Sequence, residues 1–278
     1  MVFLFCFGYL YLMDDQQFRQ LLNCFALSWD GYRKVRKGVK KRVRRHMQQL
    51  GCRTMQAYLS ALNQNKEARQ HCEYLLTVSI SRFFRVQDFW QALENKILPT
   101  IIKENRHRVK VWSAGCACGE EVYSLKILWD MLGGRFQRLP ELEIWATDMN
   151  PAYLNKARTG IYPRSSLKEI PEALRKIYFR PQAKGRFYAV CDPLKKQVVW
   201  RVHNLFFDPP GRDFQLVFLR NSLLTYYQDE LKEPAFQKVL DSLAQGGFLI
   251  IGSHEKIPPG ARGLLLFGHH PYIFQKEA

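Results

Sequence analysis

The chain has 278 residues, 47% hydrophobic and 14% aromatic, enough for a packed core and too apolar for intrinsic disorder. Its 42 Lys and Arg against 25 Asp and Glu leave a formal charge of +17. This predicts a polyanionic partner, whether nucleic acid, anionic membrane surface or acidic protein face. The 7 cysteines form no CxxC pair and show no zinc-like spacing with histidine, which argues against a metal centre and for reduced thiols in a cytoplasmic protein.

Residues 1–13, MVFLFCFGYLYLM, read as an N-terminal extension. The run is too short to span a bilayer, and it lacks the basic flank and small-x-small cleavage site of a secretory signal. A packed extension, or an upstream start codon with the working start at Met13, accounts for it. No other stretch is long and apolar enough to be transmembrane. Residues 14–78 read as a helical N-terminal domain. Trp29, Tyr32, Val35, Val39, Val43, Met47 and Leu50 recur at three- and four-residue steps, predicting one helix with a single apolar stripe that stops at Gly51. Its other face carries a run of Lys and Arg. A charged run is usually a solvated face, but so many like charges repel unless something binds them. Arg33, Arg36, Lys37, Lys40, Lys41 and Arg44 are therefore candidate partner-binding residues.

Residues 79–106 form a linker and helix. From 107 to 278 strands alternate with helices: strands at Val109–Trp112, Leu142–Ala146, Phe214–Leu219 and Gly247–Gly252, helices at Glu120–Leu132, Pro151–Arg158 and Asp229–Leu243, and a closing hairpin over Gly263–Phe274. The alternation predicts an α/β fold with a parallel sheet. Residues 186–202 read as a small β insertion, with Phe187–Val190 and Val198–Val202 joined through Asp192–Pro193.

The segment from Val111 to Glu121, VWSAGCACGEE, runs from a strand through small residues into a helix. Gly115 and Gly119 permit backbone angles and close approaches that a side chain blocks. The carboxyl end of a strand is where an open α/β sheet binds ligands. Two glutamates in the first helical turn repel a pyrophosphate and suit a cationic ligand, though they also complement the helix dipole. Asp148 ends the second strand and is placed to accept from ribose hydroxyls, while Asn150 is free to cap the next helix. His203-Asn204-Leu205 and Arg220-Asn221 follow later strands and converge on the same crevice. Asp208-Pro209-Pro210 matches part of the signature of DNA amino-group methyltransferases, but Gly211 stands where that signature has an aromatic residue.

Seven motifs, SISRFFR from Ser79, WSAGCACGEEVYS from Trp112, ATDMN from Ala146, ARTGIYP from Ala157, HNL from His203, RNSLLTYY from Arg220 and GGFLIIGSHE from Gly246, resemble in order and spacing the CheR family of chemotaxis receptor glutamate O-methyltransferases. The resemblance implies a Rossmann-like S-adenosylmethionine-dependent methyltransferase sheet with a small β insertion, preceded by an all-helical N-terminal domain. It implies that residues 79–106 close over the cofactor, with Ser79, Ser81 and Arg85 contributing and Arg85 beside the transferred methyl. It carries cofactor contacts onto Gly115, Glu121, Asp148, Met149, Asn204, Leu205, Arg220 and Asn221. Tyr226 matches the active-site tyrosine, with Tyr227 the alternative because RNSLLTYY is one residue longer than the family's usual stretch. Ser79 and Ser81 stand where the family usually has asparagine and threonine.

The resemblance further implies direct transfer to a glutamate carboxylate, which is ionised at neutral pH and needs no general base. Arg85 and Tyr226 would steer that carboxylate, and the basic helix would face acidic receptor helices in the cytoplasm. Two alternatives are a cofactor-binding scaffold without transfer and a nucleic-acid methyltransferase, the latter suggested by the charge.

Overall fold

The computed structural model describes residues 13–277. The N-terminal extension therefore lies outside the described residues, apart from Met13, whose side chain is buried. The chain divides into two compact units between Val78 and Ser79.

The first unit holds α1 (Asp15–Asn23), α2 (Trp29–Tyr32), α3 (Arg36–Gln49), α4 (Met55–Gln64) and α5 (Lys66–Leu76). Asp14 and Gln17 form a reciprocal capping box on α1, and Thr54 and Asn65 accept the Ala57 and Ala68 N–H groups to cap α4 and α5. Phe18, Leu22, Tyr32, Val39, Val43, Met47, Tyr58 and Leu62 form its interior. The single helix expected over Trp29–Leu50 is broken. The chain turns at Arg33–Val35, and the Tyr32 hydroxyl donates to the Leu76 carbonyl at 2.9 Å. Both segments bury the same side, so the apolar periodicity runs through a break it cannot report.

In the second unit α6 (Gln87–Ala92) passes through a π-helical turn, Leu93–Ile97, into α7 (Leu98–Glu104). Then come β1 (Arg108–Ala114), α8 (Glu120–Leu132), β2 (Glu141–Asp148), α9 (Pro151–Thr159), β3 (Ile161–Pro163), α10 (Glu172–Tyr178), β4 (Phe179–Gln182), β5 (Phe187–Val190) and α11 (Asp192–Lys195). The remainder is β6 (Val198–Val202), β7 (Phe214–Leu219), α12 (Leu223–Tyr226), α13 (Asp229–Asp241), β8 (Leu243–Ile251), β9 (Leu264–Leu266) and β10 (Ile273–Lys276). The main sheet has the order β6-β2-β1-β7-β8-β10-β9, parallel from β6 to β8, with β10 and β9 antiparallel. Alternate residues of β1 serve the two faces: Val109 and Val111 pack with α6, α7 and α8, Trp112 and Ala114 with α12 and α13. Burial on both faces explains its apolar run.

The insertion expected over 186–202 is only partly an insertion. β5 pairs with β3 and β4 in a small antiparallel sheet, whereas β6 lies parallel to β2, with Ile144 opposite Val198 and Asp148 opposite Val202. Asp192–Pro193 opens the short helix α11 instead of reversing the chain, so Val198–Val202 is carried to the edge of the main sheet. An alternating strand reads the same at either sheet.

Strand order reverses between β1 and β7, so the loops after these two strands diverge and leave a crevice at their carboxyl ends.

Candidate active site

The loop after β1 is built from left-handed residues, Gly115 (φ +83°), Ala117 (φ +47°) and Gly119 (φ +86°). Gly115 is required twice over. A side chain would be strained at that φ, and its Cβ would stand 2.8 Å from the Cβ of Ser222 in the loop after β7. The N–H groups of Gly115 and Cys116 both donate to the Thr147 carbonyl. Asp148 holds the next residue: one carboxylate oxygen accepts the Ala117 N–H and the other the Asn150 N–H, each at 2.9 Å. Asn150 caps α9 through the Ala152 N–H, which leaves Asp148 free of that task. Burial pushes the Asp148 carboxyl up to about 6, against the two N–H donors, which favour its ionised form.

The two glutamates opening α8 divide their roles. Glu121 accepts the Ser113 hydroxyl at 2.8 Å and the Arg220 guanidinium at 3.0 Å, a pair whose side chains are 15% and 8% exposed. Arg220 lies 4.2 Å over the ring of Phe89 and also donates to the Arg85 carbonyl. Glu120 is buried, its carboxyl pushed up by desolvation, and one of its oxygens meets no hydrogen-bond donor among the described residues. The pair of open carboxylates expected to greet a cation is therefore one carboxylate paired with Arg220 and one turned into the protein.

Arg85 sits between two strained residues. Phe84 (φ +50°) and the β-branched Val86 (φ +67°) are both left-handed, a cost of about 1–3 kcal/mol each that the surroundings must over-determine. The anchors are visible. Phe83 N–H donates to the Ser166 carbonyl, Phe84 N–H to the Ser124 hydroxyl, and Trp90 and Arg220 both donate to the Arg85 carbonyl. Burial, then the Arg220 and Arg82 charges, pull the Arg85 guanidinium below its ordinary value, while Tyr226 and Glu121 oppose that shift. Tyr226 is pushed up to about 12, chiefly by burial and then by the Glu255 charge, against Arg85. Tyr226 and Arg85 feel each other's charge. Tyr227 packs edge-on against Phe206 and turns its hydroxyl to the Met149 sulfur at 3.6 Å.

The other expected residues are distributed around this centre. Ser79 acts on the Cys118 thiol, lowering its pKa against the larger effect of burial, and Ser81 is partly buried in the same segment. Asn204 accepts the Phe206 N–H, and Leu205 packs against the α12–α13 side of the sheet. Asn221 is left-handed (φ +52°), its N–H held by Glu255 at 2.9 Å. Sequence reasoning did not single out Ser113, Phe89, Trp90 or Glu255. Nothing in their local pattern separates them from core or loop residues, although Glu255 ends one of the seven motifs.

The donor set fits S-adenosylmethionine. Each Asp148 oxygen accepts one N–H and keeps capacity for a ribose hydroxyl. Glu121 supplies a fixed carboxylate in the same crevice, within reach of the Arg85 charge. A family model described as CheR methyltransferase, SAM binding domain, matches residues 79–267. The chain is 36% identical over 200 residues to a chemotaxis protein methyltransferase of Listeria innocua, covering 72% of this chain and 74% of that protein. It is 29% identical over 215 residues to a chemotaxis protein methyltransferase of Borreliella burgdorferi, covering 74% and 75%. Among the described residues no helix is long and apolar enough to cross a membrane. With its sheet, its switch-point loop and the aspartate ending its second strand all inside the stretch that the family model matches, this chain belongs to the CheR methyltransferases and uses S-adenosylmethionine as methyl donor.

Proposed function

We propose that this chain methylates glutamate side chains on an acidic helical signalling protein, a chemoreceptor cytoplasmic domain. One arrangement supports the reading: the backbone around Arg85 is pinned by hydrogen bonds from Phe83, Phe84, Trp90 and Arg220, and the Arg85 charge reaches Tyr226, whose hydroxyl burial pushes up to about 12. A guanidinium and a protonated phenol can both donate to an anionic acceptor. The cofactor supplies an electrophilic methyl group. A carboxylate acceptor is already a nucleophile, so the work left to the protein is orientation and exclusion of water. Asp148, Glu121, Asn204 and the Gly115 loop hold the donor, and Arg85 and Tyr226 orient the acceptor.

The basic helix α3 supplies the partner surface. Arg33, Lys37 and Lys41 are exposed, as are Lys34 and Arg45, which extend the patch. Arg36 and Lys40 share Asp15, at 3.1 and 2.6 Å, and Arg44 is half-buried. Arg42 is committed to the Leu75 and Thr77 carbonyls at the end of α5. An acidic helical face complements the exposed cations.

The test is transfer of labelled methyl from the cofactor to receptor cytoplasmic fragments, with base-labile esters as product. R85A should lower turnover at least about 100-fold while the protein stays folded and binds cofactor. Label absent from several receptors, or R85A turning over normally, refutes the reading.

A further inference from the structure

Glu255 follows β8, outside the residues that the family resemblance marks as touching cofactor or acceptor. Its carboxylate nevertheless gathers three donors from around the crevice. Oε2 accepts the N–H of Asn221, after β7, at 2.9 Å and the N–H of Gly252, after β8, at 2.5 Å. Oε1 accepts the hydroxyl of Thr225, within α12, at 2.5 Å. The approach is possible only at a glycine, since a Cβ on Gly252 would stand 2.7 Å from Glu255 Oε2 and 2.9 Å from Asn221 Oδ1. Asn221 is left-handed, a conformation that asparagine tolerates and that the Glu255 carboxylate fixes here. The next helical turn delivers Tyr226, whose N–H donates to the Ser222 carbonyl. The Glu255 charge also reaches the Tyr226 hydroxyl and opposes its ionisation, while the Arg85 charge favours it.

We propose that Glu255 is a positioning residue for methyl transfer: its carboxylate fixes the Asn221 turn and α12 as one unit and so sets the position of Tyr226. The proposal rests on the transfer reading above. Glu255 acts on Tyr226 through the backbone turn and the Thr225 hydroxyl, with no contact to the reacting atoms. A carboxylate is suited to this because it only accepts, and every group pointing at it donates. Substitution by alanine leaves two N–H groups and a hydroxyl without their acceptor, and the turn is no longer pinned.

Two measurements on the full chain test this. In the transfer assay, E255A should lower kcat by about 100-fold with a much smaller change in KM. T225V, which removes one donor, should lower it several-fold, and E255Q, which keeps an oxygen for the two N–H groups, should recover most of the rate. In a Y226F background E255A should cost little more, because the two changes break one device. Fully additive losses in Y226F and E255A would overturn the proposal. The second measurement needs no acceptor protein: carbon-13 at Cζ of tyrosine, with the Tyr226 resonance assigned by its loss in Y226F. One sharp Tyr226 line is expected for the unsubstituted chain, with broadened or doubled lines in T225V and E255A. An unmoved, sharp line in both variants would overturn the role of Glu255. Failure of the acceptor reading would show separately, as an inactive unsubstituted chain whose Tyr226 line still responds to Glu255.

Discussion

Replacing Glu121 by glutamine probes the centre of the site most directly. The Glu121–Arg220 pair is 3.0 Å long and largely shielded from water, at 15% and 8% side-chain exposure. Removing one charge leaves the other buried without its counter-ion, which costs about 3–5 kcal/mol, whereas removing both is often neutral or stabilising. E121Q should therefore lower unfolding free energy by about 3 kcal/mol or more, measured by urea denaturation. E121Q/R220M should regain most of that loss, because methionine fills the space over Phe89 that the guanidinium stem occupies. Cofactor affinity, measured by calorimetry, should fall in both variants, since the double variant restores packing and not the carboxylate. A double variant as unstable as E121Q would show that the loss is not electrostatic. Full cofactor affinity in both would remove Glu121 from the cofactor site.

Burial raises the Asp148 carboxyl from the ordinary aspartate value to about 6. Its folded value is raised, so its contribution to stability is fully present below the unfolded value near 3.9 and is lost as pH rises through about 6. Cofactor affinity runs the opposite way: the ionised form accepts from ribose, so affinity should weaken as pH falls through about 6, and D148N should lose both the affinity at neutral pH and this dependence. G115A should destabilise by about 2–4 kcal/mol from its left-handed φ and the 2.8 Å approach to Ser222, and G115A/S222G should recover the steric part only; equal stability of G115A and the parent protein would refute the close approach. Charge reversal at Lys37 and Lys41, both exposed on α3, should raise KM for an acidic protein acceptor by about tenfold at low salt and less at high salt, leaving cofactor affinity intact; a change in kcat alone would place the acceptor elsewhere.

Features that depend on residues close in sequence were legible from the start. The strand–loop–helix unit at Val109–Leu132, the strand ending at Asp148, the helix opening at Pro151 and the strand at Phe214–Leu219 all lie within two residues of their expected bounds. Each rests on local periodicity and on a nearby glycine, asparagine or proline. The Asn150 cap, which releases Asp148 for other work, was a local inference of the same kind.

Tertiary structure decided whatever depends on partners far along the chain. Val198–Val202 alternates equally well for a hairpin or a sheet edge, and only its register beside Ile144–Asp148 sends it to the main sheet. Two adjacent glutamates look alike in sequence. Arg220, 99 positions away, makes one of them half of an ion pair, while packing buries the other. Tyr226 feels the Arg85 charge and Tyr227 turns its hydroxyl to Met149, contacts between segments far apart in the chain. Glu255 acquired its place through three donors from separate segments. Sequence alone determined that this chain would build an α/β sheet with a glycine-bearing strand–loop–helix turn at Gly115 and an acidic residue ending the second strand, because backbone preference and side-chain periodicity act over a few residues. Which charge meets which is decided when the sheet assembles, because those energies exist only between groups that folding brings together.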